Sequence, residues 1–228
     1  MSLAQLKANT NVASDNSDVP AKLLETAIRL YGEQGCQAVS VRQIIKEAGV
    51  LNDAAVRYYF GNKQDLLRAC VKGVALELRP IMQQAFADLD ERKADASKPT
   101  VSARHVVAAL FYGFAVLHAE NSAASKLIAR MVREEGAEGQ QMQVEELGDI
   151  MWRFEDELAA VLPEKSAKAI RLQAVLAFHA MINGLVDHEL YSTYPARTGQ
   201  EEHPLTADEL SQGFIDFLTL GIAGPASI

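Results

Sequence analysis

Ten residues between positions 40 and 63 have side chains of the types that contact nucleic acids. Asparagine suits adenine in the major groove, arginine suits guanine, and an alanine methyl group can meet the thymine methyl group. Lysine, serine and tyrosine donate hydrogen bonds to phosphates, which position a protein on a duplex without reading its sequence. The ten residues are Ser40, Arg42, Asn52, Asp53, Ala54, Ala55, Arg57, Tyr58, Tyr59 and Lys63. They can act together only if short helices hold them on one surface.

Residues 52–55 lie at the N-terminal end of a predicted short helix, where side chains reach base edges. Arg57 is the best candidate for reading a base, and it could instead hold a phosphate or extend into solvent. Asn52 could serve simply as the N-cap of this helix. Asp53 could complement the helix dipole, because a carboxylate near phosphates is costly unless it accepts a hydrogen bond from cytosine.

The other polar candidates flank that helix. Lys63 comes at the first turn of the following helix, where its ammonium group and the free backbone N–H groups could hold one phosphate together. Ser40 and Arg42 begin the preceding helix and could do likewise, although a capping role already explains Ser40. Tyr58 and Tyr59 could donate hydroxyl groups to phosphates, and we expect at least one of the two rings to pack in the core.

The pattern around these residues predicts three helices with a sharp turn. The first helix begins at the N-cap Asp18 and ends at Gly35. The second opens with a capping box, in which Ser40 and Gln43 each satisfy a free backbone N–H group. It closes at Gly49, whose left-handed backbone lets the chain double back. The third helix is predicted to begin at residue 51 or 52 and to run to residue 58, which together with the second describes a helix-turn-helix.

Beyond this head the sequence continues to indicate helices. Asn62 caps a fourth helix, which Pro80 should kink or end. Residues 88–100 contain a single large apolar side chain and are predicted to form a loop. Helical periodicity recurs over residues 101–118, 123–135, 140–162, 166–191 and 206–220, and no stretch alternates with period two for long enough to support a sheet. The predicted fold class is all-α.

Three stretches combine helical apolar spacing, ordered glycines, an aromatic cluster and a following lysine. They are Ala27–Gly35, Val41–Val50 and Val56–Leu67. Together they closely resemble the N-terminal domain of the TetR family of transcriptional regulators, and the resemblance covers about residues 18–78. It departs at the turn, because residues 51–55 are one residue longer than the commonest family pattern and Arg57 stands where a tyrosine is frequent.

The resemblance implies a DNA-binding transcriptional regulator, most often a homodimeric repressor that a small-molecule effector releases from a palindromic operator. A tail over residues 1–17 would precede a helix-turn-helix head over residues 18–78 and a helical effector-binding and dimerisation body over residues 79–228. In the family the last two long helices pair across a two-fold axis, and the corresponding helices here are the predicted ones over residues 166–191 and 206–220. Alternatively, their apolar surface could be buried in a large intramolecular core. The resemblance implies no cofactor.

Candidates for binding an effector form a mixed aromatic and methionine set with a few polar residues. They are Phe111, Tyr112, Phe114, His118, Met131, Met151, Trp152, Phe154, His179, Met181 and Asn183. Stripes of this kind are typical of a protein core as well as of a pocket. His179, Asn183 and Asp187 form a polar line on an apolar helix, and such groups need partners when buried. They could bridge the dimer, join an internal hydrogen-bond network, bind a ligand or face water.

Charge and composition set the remaining limits. The net charge of the whole chain is −8, which alone argues against a nucleic-acid partner. Residues 18–80, however, carry nine basic and seven acidic side chains, whereas residues 81–228 carry twelve and twenty-two. Two cysteines, no leader pattern and no apolar run near the ~18 residues that cross a bilayer predict a cytoplasmic protein without a membrane partner.

The sequence contains no positive sign of an enzyme. The five histidines show neither an HExxH pattern nor a paired CxxC pattern, so no metal site is predicted. A glycine-rich phosphate loop and a GxSxG motif are also absent from the sequence. The alternative to a regulator is an all-α enzyme or a helical adaptor whose helix-turn-helix contacts protein. DNA binding that falls steeply with salt would separate the two.

Overall fold

The computed structural model describes residues 18–192 and 205–224, and these residues form helices with no strand. The predicted all-α fold is confirmed. The predicted tail over residues 1–17 lies outside the described residues. In chain order the helices are α1 (Val19–Gln34), α2 (Val41–Glu47), α3 (Ala55–Tyr59), α4 (Lys63–Ala94), α5 (Ala103–Glu120), α6 (Ser122–Glu134), α7 (Gly136–Val161), α8 (Ala167–Val186), α9 (His188–Ser192) and α10 (Ala207–Ala223).

The start of α2 follows the sequence prediction in part. The hydroxyl oxygen of Ser40 accepts a hydrogen bond from the backbone N–H of Gln43 at 3.1 Å, as a capping serine should. The amide nitrogen of Gln43 donates instead to Gln34 at 3.0 Å and to Glu47 at 3.1 Å. The predicted capping box is therefore only half formed, because the glutamine side chain finds partners on α1 and one turn further along α2.

The turn between α2 and α3 is longer than predicted. Gly49 has φ of +66°, a left-handed conformation that only glycine adopts readily, so the expected turn at this residue is confirmed. The third helix then begins at Ala55, three or four residues later than expected. Asn52 is not the N-cap. Its side-chain oxygen accepts a hydrogen bond from the backbone N–H of Ala54 at 2.9 Å, and its carbonyl oxygen accepts one from Ala55 at 3.0 Å.

Helix α4 begins as predicted and ends later. The side-chain oxygen of Asn62 accepts from the backbone N–H groups of Gln64 and Asp65 at 2.8 and 2.9 Å, which confirms its capping role. The helix does not end at Pro80 but continues to Ala94, so the predicted loop over 88–100 begins only at residue 95. Buried apolar residues on both sides of the proline, Leu78 and Met82 among them, offset the backbone hydrogen bond that it removes.

The chain divides into two compact units. The first unit comprises residues up to 83 together with 116–150, and the second comprises 84–115 together with 151 onwards. Helices α4, α5 and α7 each contribute residues to both. The predicted head over residues 18–78 lies wholly in the first unit.

In the first unit, α6 holds the C-terminal end of α1. The Arg130 guanidinium donates hydrogen bonds to the carbonyl oxygens of Gly32 and Glu33 at 2.9 and 3.2 Å. A carboxylate oxygen of Glu134 accepts the backbone N–H of Cys36 at 2.7 Å. The free carbonyl groups at the end of a helix are thus satisfied by a cation from another helix.

In the second unit, α5 contacts α8 and α10 through aromatic side chains. The rings of Phe114 and Phe178 meet edge to face at 5.5 Å, and Phe111 stacks on Phe214 at 6.3 Å. Thr206 and Glu209 begin α10 with a complete capping box, which the sequence analysis did not identify. Helix α8 is long and apolar enough to cross a bilayer by composition alone, but half of it is buried inside the protein, as is common for a core helix.

Candidate nucleic-acid interface

The turn before α3 and the outer face of α3 form an exposed polar surface in the first unit. Asn52, Asp53, Ala54 and Arg57 are all exposed. Ala55 is not part of this surface, because it is only 1% exposed and packs in the head core beside Val56. The expectation that Ala55 meets a thymine methyl group therefore fails in this structure, since the methyl group that it offers is already buried.

The two tyrosines of α3 differ in exposure. Tyr58 is 78% exposed, whereas Tyr59 is half-buried. Their rings meet edge to face with centroids 4.8 Å apart, so Tyr59 supports the position of the exposed ring. Tyr58 is the tyrosine whose hydroxyl is available to a phosphate, and Tyr59 is the one that contributes to packing.

Two arginines on this surface are available for binding. Arg42, in the first turn of α2, and Arg57, in α3, are exposed, and among the described residues neither makes a hydrogen bond or an ion pair. Arg29 of the same unit is different, because its guanidinium pairs with Glu33 at 3.1 Å and with Glu47 at 2.6 Å. The hydrogen bond from Arg29 lowers the pKa of Glu47, which keeps that carboxylate charged and engaged.

Lys63 is held near the end of the surface. Its ammonium nitrogen lies 3.4 Å from the carbonyl oxygen of Gln37, a long and weak hydrogen bond, and the side chain is half-buried. Because this bond uses one of three ammonium protons, the others remain available to an anion. Ser40, whose hydroxyl oxygen accepts from Gln43, keeps its own hydroxyl proton for a phosphate oxygen.

The head is positioned by contacts that the sequence analysis did not identify. The carboxylate groups of Glu135 and Glu138 accept hydrogen bonds from Gln64 of α4, the second at 2.6 Å. Gln37, in the loop before α2, donates to Glu135 at 2.7 Å. These partners are 71 to 98 residues apart in the chain. The only local signal was the i,i+4 spacing of Arg130 and Glu134, which pair at 3.0 Å on α6.

The residues predicted to bind an effector are divided between the two units. His118 and Met131 belong to the first unit and the other candidates to the second. Met131 is buried, and the His118 ring nitrogen Nδ1 lies 2.7 Å from the Ser125 hydroxyl oxygen. In the second unit, Phe111, Phe114 and Met151 are buried, whereas Trp152 is 58% exposed.

The polar line on α8 makes one internal hydrogen bond. Asn183 donates its amide to the carbonyl oxygen of His179 at 2.7 Å, one turn earlier on the same helix. Its side-chain oxygen is buried without a partner among the described residues. Burial lowers the pKa of His179, which favours the neutral ring at pH 7. Asp187 is the C-cap of α8 and is exposed.

Helices α8 and α10 expose large apolar side chains in the second unit. They are Leu172, Val175, Leu176, Phe217 and Leu220. An apolar groove of about 320 Å³ runs between the two helices, with Leu176 and Phe217 in its lining. Contiguous exposed apolar surface of this kind is typical of an interface.

The described residues contain no group of three or more His, Cys, Asp or Glu side chains that could hold a metal ion.

Comparison with known proteins identifies the N-terminal helices. Residues 23–70 match the sequence model of the bacterial regulatory proteins of the tetR family. The chain is 39% identical over 57 residues to the HTH-type transcriptional regulator BetI of Rhizobium meliloti, which covers 25% of this chain and 28% of BetI. It is 43% identical over 54 residues to the HTH-type transcriptional dual regulator CecR of Shigella flexneri, which covers 24% and 23%. The matched part thus spans about a quarter of each relative.

The whole-chain fold also has known counterparts. A TetR-like transcriptional regulator from Rhodococcus sp. RHA1 superposes with a TM-score of 0.62, covering 93% of this chain and all of that one at 15% identity. At this identity the likeness concerns the fold. Residues 23–70 are thus similar to the helix-turn-helix domain of the tetR family, and the chain as a whole has the fold of TetR-like regulators.

Proposed function

We propose that this protein is a DNA-binding transcriptional regulator that acts as a homodimer. Two heads would bind the two halves of a palindromic operator, and a small-molecule effector would release them, which makes the protein a repressor. The proposal assigns no catalytic residue. It places the protein in the cytoplasm, where bacterial DNA is found.

The observation that carries the proposal is the exposed surface of α2 and α3 within the matched domain. Arg42 and Arg57 stand there without an ion pair among the described residues, although the chain as a whole is acidic. A free exposed arginine can form charge-assisted hydrogen bonds with phosphate oxygens, or two parallel bonds with guanine. We assign base reading to Arg57 and phosphate contacts to Arg42, Tyr58 and Lys63.

Asn52 and Asp53 have narrower roles in this proposal. The Asn52 side-chain oxygen is engaged by the backbone of Ala54, but its amide nitrogen remains a donor. Asp53 is exposed beside the proposed interface, where its carboxylate would repel phosphates unless cytosine donates to it. These two side chains and the exposed Ala54 methyl group therefore add selectivity rather than affinity.

Dimerisation follows from the small number of base pairs that one short helix can read. Two heads spaced by about one helical turn of DNA recognise a site long enough to be selective. The exposed apolar side chains of α8 and α10 support a dimer through these helices, because a face that water would otherwise cover gains stability when a second copy buries it.

Helix α4 supports a mechanism for release. It begins beside the head at Lys63 and continues without interruption to Ala94 in the second unit. An effector that binds the body and favours a second conformation would tilt α4, change the distance between the two heads and weaken operator binding. An effector that bound tightly without changing DNA affinity or head separation would contradict this mechanism.

The experiment that tests the proposal is selection from a randomised pool of DNA duplexes with purified protein at moderate salt. We expect a palindrome to be enriched, and its half-site spacing gives the distance between the heads. Affinity for the selected duplex should fall steeply as salt increases. Failure to enrich any sequence, together with binding that salt does not change, would contradict a DNA-binding role.

Two variants distinguish base recognition from phosphate contacts. Arg57→Ala should blur the selected sequence, whereas Lys63→Ala should weaken binding to all duplexes alike. The matched controls are Arg133→Ala and Lys126→Ala, which remove the same side chains from α6, away from the surface of α2 and α3 and from the proposed dimer helices. Equal effects in the variants and in their controls would show that general charge, rather than this surface, binds DNA.

A further inference from the structure

The second unit contains a cleft of about 430 Å³ between the C-terminal part of α4 and the N-terminal half of α5. This volume lies within the range of small-molecule sites, which is about 300 to 1,000 Å³. Small apolar side chains form one part of its lining, namely Ala85, Leu89, Ala108 and Ala109. Of the residues that the sequence suggested for an effector, Tyr112 lines this cleft and the others do not. The cleft is therefore a separate candidate for a ligand site.

Arg92 supplies a positive charge that the rest of the unit does not use. It lines the cleft, is half-buried, and makes no hydrogen bond or ion pair among the described residues. Its neighbours are different, because Lys93 pairs with Glu157 at 2.5 Å and Arg104 pairs with Asp216 at 2.9 Å. A half-buried guanidinium that makes no ion pair can bind an anion with a small further loss of hydration, since it has already lost part of its hydration.

His105 supplies a second donor in the same cleft. Its Nδ1 accepts a hydrogen bond from the backbone N–H of Ser102 at 3.1 Å, which assigns the proton of the neutral ring to Nε2. Burial, together with the charges of Arg92 and Arg104, lowers the pKa of His105, so the neutral form prevails at pH 7. Its Nε2–H group has no acceptor among the described residues.

Tyr112 supplies a third donor. Its hydroxyl oxygen accepts a hydrogen bond from the Gln212 amide at 2.9 Å, which leaves the hydroxyl proton free to donate. Three unused donors from two helices thus line one cleft beside an apolar wall, and they comprise one full positive charge and two neutral groups.

Three charged side chains also line the cleft and limit the charge of a ligand. Asp88 accepts from Gln84 at 2.8 Å, Lys98 pairs with Asp95 at 3.6 Å, and Glu91 is exposed. The carboxylates of Asp88 and Glu91 would repel a ligand with several negative charges. A single negative charge directed at Arg92 avoids most of this repulsion.

We propose that the cleft binds a small organic carboxylate, whose oxygens accept hydrogen bonds from Arg92, His105 and Tyr112 and whose apolar part lies against Leu89 and the alanines of α5. The site depends on the second unit alone and does not require that the protein bind DNA, so its failure and the failure of the proposed regulator are measured separately.

The test uses benzoate as the probe, with benzamide and benzylamine as neutral and cationic analogues of similar shape. Titration calorimetry of the full chain at pH 7.5 should show saturable binding of benzoate and none of benzylamine. Arg92→Gln should raise the dissociation constant of benzoate about tenfold or more, because it removes a charge-assisted hydrogen bond. Tyr112→Phe should raise it severalfold without changing any charge. The matched control Arg133→Gln, on α6 in the first unit, should leave it unchanged.

Four outcomes would overturn the proposal. They are no saturable binding of benzoate at millimolar concentration, equal binding of benzamide, preferential binding of benzylamine, and equal effects of Arg92→Gln and Arg133→Gln. Thermal melting of each variant establishes that it is folded. If Arg92→Gln does not fold, Tyr112→Phe and the three analogues still decide the question.

Discussion

The two units of the molecule offer different chemistry to their surroundings. The first presents two exposed cations, Arg42 and Arg57, that have no partner among the described residues, on the surface of α2 and α3. In the described part of the second, most cations are paired, and the large exposed side chains of α8 and α10 are apolar, with Phe217 69% exposed and Leu220 74%.

This difference explains how an acidic chain can have a surface suited to DNA. The net charge of −8 is a sum over the whole chain, whereas residues 18–80 carry nine basic and seven acidic side chains and residues 81–228 carry twelve and twenty-two. A phosphate approaching α3 is attracted by the cations that remain unpaired there, because the field of more distant charges is screened within about 10 Å at ordinary salt. The attraction of each surface for an anion therefore depends on the charges within about 10 Å of it and not on the total charge.

The largest expected effect concerns the contact that holds the head in the first unit. A Cβ atom at Gly32 would lie 2.5 Å from the carbonyl oxygen of Ala123, a backbone atom that cannot swing aside. We expect Gly32→Ala to lower the free energy of unfolding by about 3 kcal/mol, because the overlap outweighs the gain of up to about 1 kcal/mol in helix propensity.

Urea denaturation measures this change, and Gly213→Ala is its control. A Cβ atom at Gly213 would have no neighbour within 4 Å, so this variant should keep or raise stability. If both variants change stability in the same direction, the contact between α1 and α6 is looser than described.

The next largest effect concerns dimerisation through the exposed apolar side chains of α8 and α10. Phe217→Glu places a charge in the exposed apolar face of α8 and α10, and we expect it to weaken the dimer by at least about 2 kcal/mol, or about 30-fold in the dissociation constant. Sedimentation equilibrium measures the change. Trp152→Glu, a second exposed aromatic position in the same unit, is the control. A dimer that tolerates Phe217→Glu but not Trp152→Glu would move the interface to α7.

A smaller effect concerns DNA binding by the unpaired arginine of α3. Arg57→Ala should cost about 1 to 3 kcal/mol of binding to the selected duplex and much less to unrelated DNA, because a base contact contributes only to the correct sequence. Fluorescence anisotropy at several salt concentrations measures both affinities. Equal losses on both duplexes would show that Arg57 holds a phosphate, and the salt slope would then fall by about one.

The smallest effect is a pH dependence in the second unit. Because burial lowers the pKa of His179, the unfolded chain binds a proton there more readily than the folded chain. The free energy of unfolding is therefore not reduced by His179 above its unfolded pKa of about 6.5. It decreases as the pH falls from there towards the pKa of the folded state. The slope from one such group is at most about 1.4 kcal/mol per pH unit. His179→Gln should flatten the dependence between pH 7 and 5.5, and an unchanged slope would assign it to other groups.

Local signals predicted the helices and several of their ends correctly. Ser40 and Asn62 cap α2 and α4, and Gly49 turns the chain, because a hydroxyl, an amide or a missing Cβ acts on backbone atoms only a few residues away. The all-α fold and the helix-turn-helix followed from such patterns and from the resemblance. The cations and tyrosines of the head were likewise chosen from residue types and spacing.

Tertiary structure alone decided what those patterns left open. Ala55 is buried and α3 begins there because the head core accepts that methyl group, and α4 continues through Pro80 because apolar side chains on both sides of it are buried. The sequence also did not predict which cations are unpaired, because Arg130 donates to carbonyl oxygens nearly 100 residues away in the chain. Sequence by itself determined the elements and the residue types on them. Only the folded chain determined which side chains are buried, paired or available, because those properties depend on neighbours that are distant in sequence.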